Sequence, residues 1–219
     1  METEMERYTD TKRTVWYIVM AMSLMLLALL GMQYREKTRL QQGIAEKVLR
    51  FHVRANSDSE EDQRLKLAVR DAVGEELAVR FSGIDTREGC EIIAREALDE
   101  IAETAERVVE AEGYDYPVEV FIDDVDFPVK TYGSYTFPAG NYRALEVVIG
   151  EGEGQNWWCV MYPNMCFSGS VYEVVDEEAG EELREVLSPE EYEKVLSSGD
   201  YELKFRYLPF LDKLAGDLR

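Results

Sequence analysis

An uncharged apolar segment near the N-terminus sets the first limit on how this chain folds. Residues 15–32 read VWYIVMAMSLMLLALLGM, and Ser23 is the only strongly polar residue among them. As a helix, these eighteen residues extend roughly 27 Å, close to the ~30 Å hydrocarbon core of a bilayer. Lys12 and Arg13 come directly before the segment, as in the basic region of a secretory signal. We therefore predict a transmembrane signal or anchor over residues 15–32.

The length of this segment favours a retained anchor over a cleaved signal. It exceeds the usual signal core, and neither Ala28-Leu29-Leu30 nor Leu29-Leu30-Gly31 forms a good cleavage site. Basic residues flank both ends, so charge does not decide the orientation. A short tail before a long folded domain suits export of that domain. We therefore expect a cytoplasmic tail over residues 1–14 and a polar linker over residues 33–47.

The chain as a whole carries a strong excess of carboxylates. Its 219 residues include 45 Asp or Glu and 24 Lys or Arg, which gives a formal net charge of -21. Proteins hold phosphates through Lys and Arg, so this balance excludes a nucleic-acid partner. Three cysteines and one histidine are too few for a zinc site of the usual spacing, and we expect neither metal nor cofactor.

Hydrophobic periodicity predicts a strand and two helices after the linker. Residues 48–53 alternate between apolar and polar side chains, which predicts a strand. Ser57 with Glu60 fits a capping box, so we expect a helix to start there. A second helix is expected to run from an N-cap at Asp85 or Thr86 to Gly113, which follows its C-terminus.

The apolar period then shortens to two residues. This pattern predicts strands over residues 117–122, 142–149 and 156–162. Residues 127–140 are aromatic and rich in Gly and Pro, and we expect an ordered surface loop there. The GEGEG run over residues 150–154 predicts a turn, because two glutamates occupy positions where a phosphate needs bare amides. The predicted fold class is α+β, with an N-terminal membrane helix and then two helices packed on an antiparallel sheet.

Residues 173–219 are interpreted as an acidic C-terminal extension that follows a domain over residues 48–172. Ten acidic residues and a single arginine lie between positions 173 and 193, which is typical of a solvated face or a mobile insertion. Ser188-Pro-Glu-Glu predicts the start of a short helix, because it supplies an N-cap, a first-turn proline and a glutamate at the third helical position. A strand is expected over residues 201–207.

The cysteines and the histidine allow two interpretations. Cys159 or Cys166 could act as a nucleophile if His52 lay within hydrogen-bond reach, which would indicate a cell-wall hydrolase or acyltransferase based on Cys159 and His52. Alternatively, Cys159 and Cys166 lie opposite each other across a tight hairpin and form a disulfide, which an exported domain would retain. Cys90 falls on the apolar face of the second predicted helix and is interpreted as a small buried residue.

Two adjacent tryptophans leave a further choice open. Trp157 and Trp158 lie in one predicted strand and must point to opposite faces of it. One indole can enter the core, whereas the other needs cover from this domain or from another protein. An exposed indole beside Gln155 and Asn156 would also suit a carbohydrate-binding module.

Four blocks of the sequence resemble a known family. They are RFHVRANSDSEEDQRLKLAVRDAV from Arg50, EGYDYPVEV from Glu112, FPVKTYG from Phe127 and FPAGNYRALEVVIGEGEGQNWWCVMYPNMCF from Phe137. Over about residues 48–167 the chain resembles the stage II sporulation protein R (SpoIIR) family of endospore-forming bacteria, and the ANSDS and GQNWWCV blocks are its most distinctive parts.

This resemblance implies an intercellular signal rather than an enzyme. Members of the family are exported across the forespore membrane into the space between forespore and mother cell. There they activate SpoIIGA, a membrane-embedded aspartic protease that processes the sigma-E precursor. The family supplies no catalytic residues, so we expect the partner contact at polar residues near the first domain helix and at the tryptophan strand. These residues are Asn56, Ser57, Asp58, Asp62, Gln63, Gln155, Asn156, Trp157 and Trp158. Asn56, Ser57 and Asp58 also suit a second role, in which they only cap the helix, and Gln155 and Asn156 suit one in which they only fix the turn.

Overall fold

The computed structural model describes residues 2–165 and 177–196. The chain divides into two units, residues 1–42 and residues 43–219. Residues 2–42 of the first unit belong to one continuous helix, α1 (Glu2–Lys47), and this helix includes the segment predicted as a polar linker. Arg13–Lys47 contains an eighteen-residue stretch that is long and apolar enough to cross a membrane, and none of that stretch is buried. A core helix of a soluble domain would bury such a stretch, so its exposure agrees with the predicted membrane segment.

The second unit contains strands and shorter helices, most of them at the predicted positions. In chain order they are β1 (Leu49–Arg54), α2 (Glu60–Arg80), α3 (Arg87–Glu96), α4 (Leu98–Ala111), β2 (Val118–Phe127), β3 (Lys130–Tyr132), β4 (Tyr135–Phe137), β5 (Gly140–Ile149), β6 (Asn156–Tyr162), α5 (Glu177–Val186) and α6 (Pro189–Leu196). The strand predicted over residues 201–207 lies outside the described residues.

Four strands form the main sheet, in the order β2-β5-β1-β6. Strand β5 is antiparallel to β2 and parallel to β1, and β6 is antiparallel to β1. The α+β class is therefore confirmed, although the sheet is mixed and not entirely antiparallel as predicted. The difference arises because β5 enters between β2 and β1, and neighbour order is not encoded in the apolar period of any one strand.

Each face of the main sheet is covered by its own core, because successive side chains of a strand point to opposite faces. One face packs on helices α2, α3 and α4. Its buried residues include Leu49, Phe51, Val53, Leu145, Val147, Ile149, Leu65, Val69, Val73, Leu77, Ile101 and Val109. The other face packs on the β3–β4 hairpin and on α5 and α6. Its buried residues include Val48, Phe127, Phe137, Tyr142, Ala144, Val160, Leu183 and Val195.

Two helix predictions need correction. The N-cap of α2 is Ser59, whose hydroxyl accepts a hydrogen bond from the Asp62 amide at 3.1 Å, so the predicted capping box from Ser57 is wrong. The predicted second helix is two helices, because the backbone leaves helical geometry at Ala97. Helix α3 forms an ion pair with strand β5, whereas helix α4 packs on α2 and β2. The two helices therefore contact different elements. The N-cap at Thr86 is confirmed.

The second face is covered by segments that the sequence interpretation placed outside the core. Residues 127–140, predicted as a surface loop, contain the β3–β4 hairpin, and Phe137 is fully buried. The acidic run is folded over its described residues 177–193, because Leu183 and Leu187 are buried, so the interpretation as a mobile insertion is wrong there. Most of its acidic side chains with a described environment are exposed, as the interpretation as a solvated face expects. The capping box at Ser188 is confirmed, since its amide donates to Glu191 at 2.7 Å.

Candidate functional site

Two loops meet at one end of the sheet and gather most of the predicted contact residues. Strands β1 and β5 are parallel, so the chain leaves both strands at the same end of the sheet. Strand β6 begins at that end of the sheet, where Asn156 pairs with Arg54. We call residues 55–63 and 150–156 the loop cluster. It contains Asn56, Ser57, Asp58, Asp62, Gln63, Gln155 and Asn156.

Hydrogen bonds connect the two loops directly. The Glu151 amide donates to Asn56 Oδ1 at 3.0 Å, and the Gln155 amide donates to Asp58 Oδ1 at 2.7 Å. The Gly154 amide donates to the Ala55 carbonyl at 2.9 Å. Asn56 and Asp58 therefore fix the turn that precedes β6, a structural role that differs from the helix capping that the sequence suggested for them.

Asp62 is the buried centre of the loop cluster, with 3% of its surface exposed. Its carboxylate accepts hydrogen bonds from Ser57 Oγ at 2.5 Å and from Asn56 Nδ2 at 2.9 Å. Burial alone would raise the pKa of Asp62, but the hydrogen bonds from Ser57 and Asn56 outweigh it, and the pKa is lowered. Asp62 is therefore a structural carboxylate, and a partner cannot reach it in this conformation.

Lys66 joins the first turns of α2 to the other loop. Its ammonium donates to Gln63 Oε1 at 2.6 Å and to the Gln155 carbonyl at 2.8 Å. The Gln63 amide group in turn donates to the Ser57 carbonyl at 2.9 Å. Asp58 and Gln155 remain exposed, so they are the predicted contact residues that this surface presents most openly.

The two tryptophans lie on opposite faces of the sheet, as predicted, and each is half-buried within its own domain. Trp157 packs edge-on against Phe51 at a centroid distance of 5.7 Å, and the Arg70 guanidinium lies 5.0 Å from its ring. Trp158 stacks on His52 at 3.8 Å. The tryptophans therefore do not form one shared platform, and the carbohydrate-binding alternative, which needs a single exposed indole beside Gln155 and Asn156, stays a prediction.

Cys159 and His52 do not form a nucleophile and base pair. Cys159 pairs with Phe51 in the β1–β6 register and belongs to the core under the helices, whereas His52 points to the other face. Cys159 is also disulfide-bonded. Its predicted partner, Cys166, lies outside the described residues, so the pairing itself stays a prediction. Cys90 is a free, buried thiol, and burial followed by the charge of Glu182 raises its pKa to about 11.

A buried row of ionic side chains on the second sheet face was not predicted. His52 Nδ1 lies 3.0 Å from one oxygen of Glu146, and Arg54 donates to the other at 3.2 Å. Burial raises the pKa of Glu146, but the hydrogen bonds and charges of His52 and Arg54 outweigh it, and the pKa is lowered.

Arg50 occupies the same face and is fully buried. Its guanidinium donates to the Cys159 carbonyl at 2.8 Å and to the Tyr132 hydroxyl at 3.0 Å, and it lies 4.2 Å from the Phe127 ring centroid. Arg50 therefore fastens the β3–β4 hairpin to the sheet. The aromatic residues over 127–140 were the available signal, because a buried guanidinium favours such rings.

Within residues 2–165 and 177–196, no group of three or more His, Cys, Asp or Glu side chains could hold a metal ion. The arrangement at the loop cluster offers exposed amide and carboxylate groups on a rigid support. Chemically, such a surface is suited to recognition by hydrogen bonds.

Comparison with known proteins identifies the family. A family model described as stage II sporulation protein R matches residues 45–172. The stage II sporulation protein R of Bacillus subtilis (strain 168) is 35% identical over 183 residues, which cover 80% of this chain and 82% of that protein. No solved structure gives a significant match. The matched residues include the loop cluster and all strands of the main sheet, and the chain belongs to the stage II sporulation protein R family.

Proposed function

We propose that this chain is an exported sporulation signal that activates the protease SpoIIGA and thereby causes processing of the sigma-E precursor. The observation that carries the proposal is the attachment of a family domain to an exposed apolar helix. In this proposal residues 15–32 cross the forespore membrane, and the domain lies in the space between forespore and mother cell. The protein acts there by contact and not by catalysis.

The loop cluster is the proposed contact surface. Asp58 and Gln155 are exposed, while the hydrogen bonds around Asp62 and Lys66 hold the loops that carry them. A preorganised surface loses little conformational entropy when a partner binds, which favours affinity. The extracytoplasmic part of SpoIIGA is the proposed partner of this surface.

The alternative function as a hydrolase receives no support from the geometry. Its two required side chains point to opposite faces of the sheet, and a base must lie within hydrogen-bond reach of its nucleophile. The sulfur of Cys159 is also engaged in a disulfide, which removes the thiolate that such chemistry needs.

Deletion of the gene in the source organism tests the signalling role. We expect the sigma-E precursor to stay unprocessed in sporulating cells, as measured by immunoblotting, and we expect processing to return when the chain is produced in the forespore. A deletion strain that processes the precursor normally would contradict the proposal.

A second pair of strains tests export. A chain without residues 15–32 should accumulate in the forespore cytoplasm and leave the precursor unprocessed. A matched control, in which an unrelated transmembrane helix of equal length replaces residues 15–32, should restore processing. Restored processing by the truncated chain would show that export is unnecessary.

A further inference from the structure

A groove lies at the C-terminal end of α2, whereas the loop cluster lies at its N-terminal end. Because α2 has 21 residues, its two ends are about 30 Å apart. The groove has a volume of about 640 Å³, within the range of sites that hold small ligands or a few side chains. Its walls come from the end of α2, the turn between α2 and α3, the end of β6, and α5.

Apolar and polar groups contribute about equally to the surface of the groove. Phe81, Ile84, Met161 and Val186 contribute apolar side chains. The Tyr162 hydroxyl donates to the Asp85 carbonyl at 2.6 Å, and this bond ties the end of β6 to the turn between α2 and α3. Two walls of the groove are therefore connected directly.

The rim of the groove is acidic. Asp85, Glu182 and Glu185 line it with exposed side chains, and none of the described lining residues is basic. None of these three carboxylates forms an ion pair with another described residue. Glu91, on the neighbouring helix α3, differs from them because it pairs with Arg87, Arg95 and Arg143.

The pKa values of two groups inside the groove are raised, chiefly by burial and further by nearby negative charge. Burial raises the pKa of Tyr162, and the neighbouring thiol, Glu182 and Asp85 raise it further. Burial followed by Glu182 raises the pKa of Cys90 in the same direction. Both directions agree with a negative potential in the groove, which would repel an anion and attract a cation.

We infer that this groove binds a peptide segment of a protein partner in which a lysine or arginine is flanked by apolar side chains. The cation meets the carboxylates of Asp85, Glu182 and Glu185, and the flanking side chains contact Phe81 and Ile84. The inference does not depend on the partner of the loop cluster, because it follows from the shape and charge of a separate surface.

Fluorescence anisotropy with defined peptides tests the inference. The full chain is placed in phosphatidylcholine nanodiscs and titrated against fluorescein-labelled LKLRL and LELEL peptides, with empty nanodiscs as the blank. We expect LKLRL to bind and LELEL not to bind. Salt should weaken the binding between about 0.05 and 0.3 M, because exposed charges are screened in that range.

Paired substitutions locate the binding site. The double variant Glu182→Gln with Glu185→Gln should weaken LKLRL binding by about threefold to tenfold, the range expected for two exposed ion pairs. The control, Glu181→Gln with Glu193→Gln, makes the same charge change at exposed positions outside the groove and should bind within about twofold of the unmodified chain.

Three results would overturn the inference. The first is equal binding of both peptides or of neither, and the second is an equal effect of the two double variants. The third is dimerisation of the chain that the Glu182→Gln and Glu185→Gln variant abolishes, because the groove would then hold a second copy of this protein.

Discussion

The imidazole ring of His52 stacks on the indole of Trp158, with centroids 3.8 Å apart and planes inclined by 12°. The same imidazole lies 3.0 Å from Glu146, so one buried side chain joins three strands of the sheet. His52 is 3% exposed and Glu146 is 4% exposed. This histidine therefore has a structural environment, which explains why its presence does not indicate catalysis.

The pH dependence of stability is expected to report Glu146. Its folded-state pKa is lowered, so it stabilises the fold above its ordinary pKa of about 4.5 and loses this contribution as the pH falls through the folded-state value. Glu146→Gln should therefore flatten the fall in unfolding free energy below about pH 4.5. The unfolding free energy is measured at each pH by urea denaturation of the full chain in detergent, between about pH 6 and 3. Glu100→Gln, at an exposed position, is the control, and an unchanged pH profile in Glu146→Gln would contradict the prediction.

Arg50→Lys is expected to destabilise the domain although the charge is kept. A lysine cannot donate to both the Cys159 carbonyl and the Tyr132 hydroxyl with the geometry of a guanidinium, and it packs poorly among aromatic rings. The unfolding free energy should fall by about 2–4 kcal/mol, measured by chemical denaturation. Arg95→Lys, at an exposed ion pair, should change it by less than about 0.5 kcal/mol. Equal effects of the two substitutions would disprove the structural role of Arg50.

Substitutions at exposed residues of the loop cluster should impair signalling, whereas substitutions at its buried residues should lower stability. Gln155 has an exposed side chain, so Gln155→Arg should block a partner while it changes the unfolding free energy by less than about 0.5 kcal/mol. Asp62→Ala should lower that free energy by about 1–3 kcal/mol, because buried donors lose their acceptor.

Processing of the sigma-E precursor in complemented cells is the readout for Gln155→Arg. We expect it to fall at least about fivefold, a loss of roughly 1 kcal/mol in binding. The control is Glu103→Arg, which adds the same residue at an exposed position on α4. Normal processing by the Gln155→Arg variant would exclude the loop cluster as the contact surface.

The cysteines are expected to divide into one linked pair and one inert thiol. Peptide mass spectrometry without reductant should find Cys159 linked to Cys166. Cys90 should react slowly with iodoacetamide at about pH 8 until the protein is denatured, because it is buried and its pKa is raised to about 11. Cys159→Ser should lower the unfolding free energy by about 2 kcal/mol in oxidising buffer and by much less in reductant. A linkage that includes Cys90 would refute the assignment.

The sequence predicted the positions of most elements because each depends on local patterns. Strand β6 matches its predicted range, and the caps at Thr86 and Ser188 follow from side chains that bond their own first turn. The capping box at Ser57 failed because two nearby serines compete for the same turn: the Ser57 hydroxyl donates to Asp62, and Ser59 becomes the N-cap.

The grouping of the polar contact residues was also predictable in part. The loop after β1 and the loop before β6 were singled out from their residue types, and the structure brings them together. The two loops come together because β1 and β5 pair in parallel. This pairing depends on which strand lies beside β1 and not on the residues of either loop.

The sequence by itself determined the long apolar helix, the α+β class and the family, because each of these depends on the order of residues along the chain and not on tertiary contacts. Only the tertiary structure decided the roles of Arg50 and His52. Both lie at positions of β1 that alternate with its apolar residues, a pattern that normally marks a solvent-facing side. The β3–β4 hairpin, α5 and α6 cover that side, so Arg50 and His52 are buried. Burial depends on segments about 80 to 140 residues away along the chain, and no local pattern in β1 reports them.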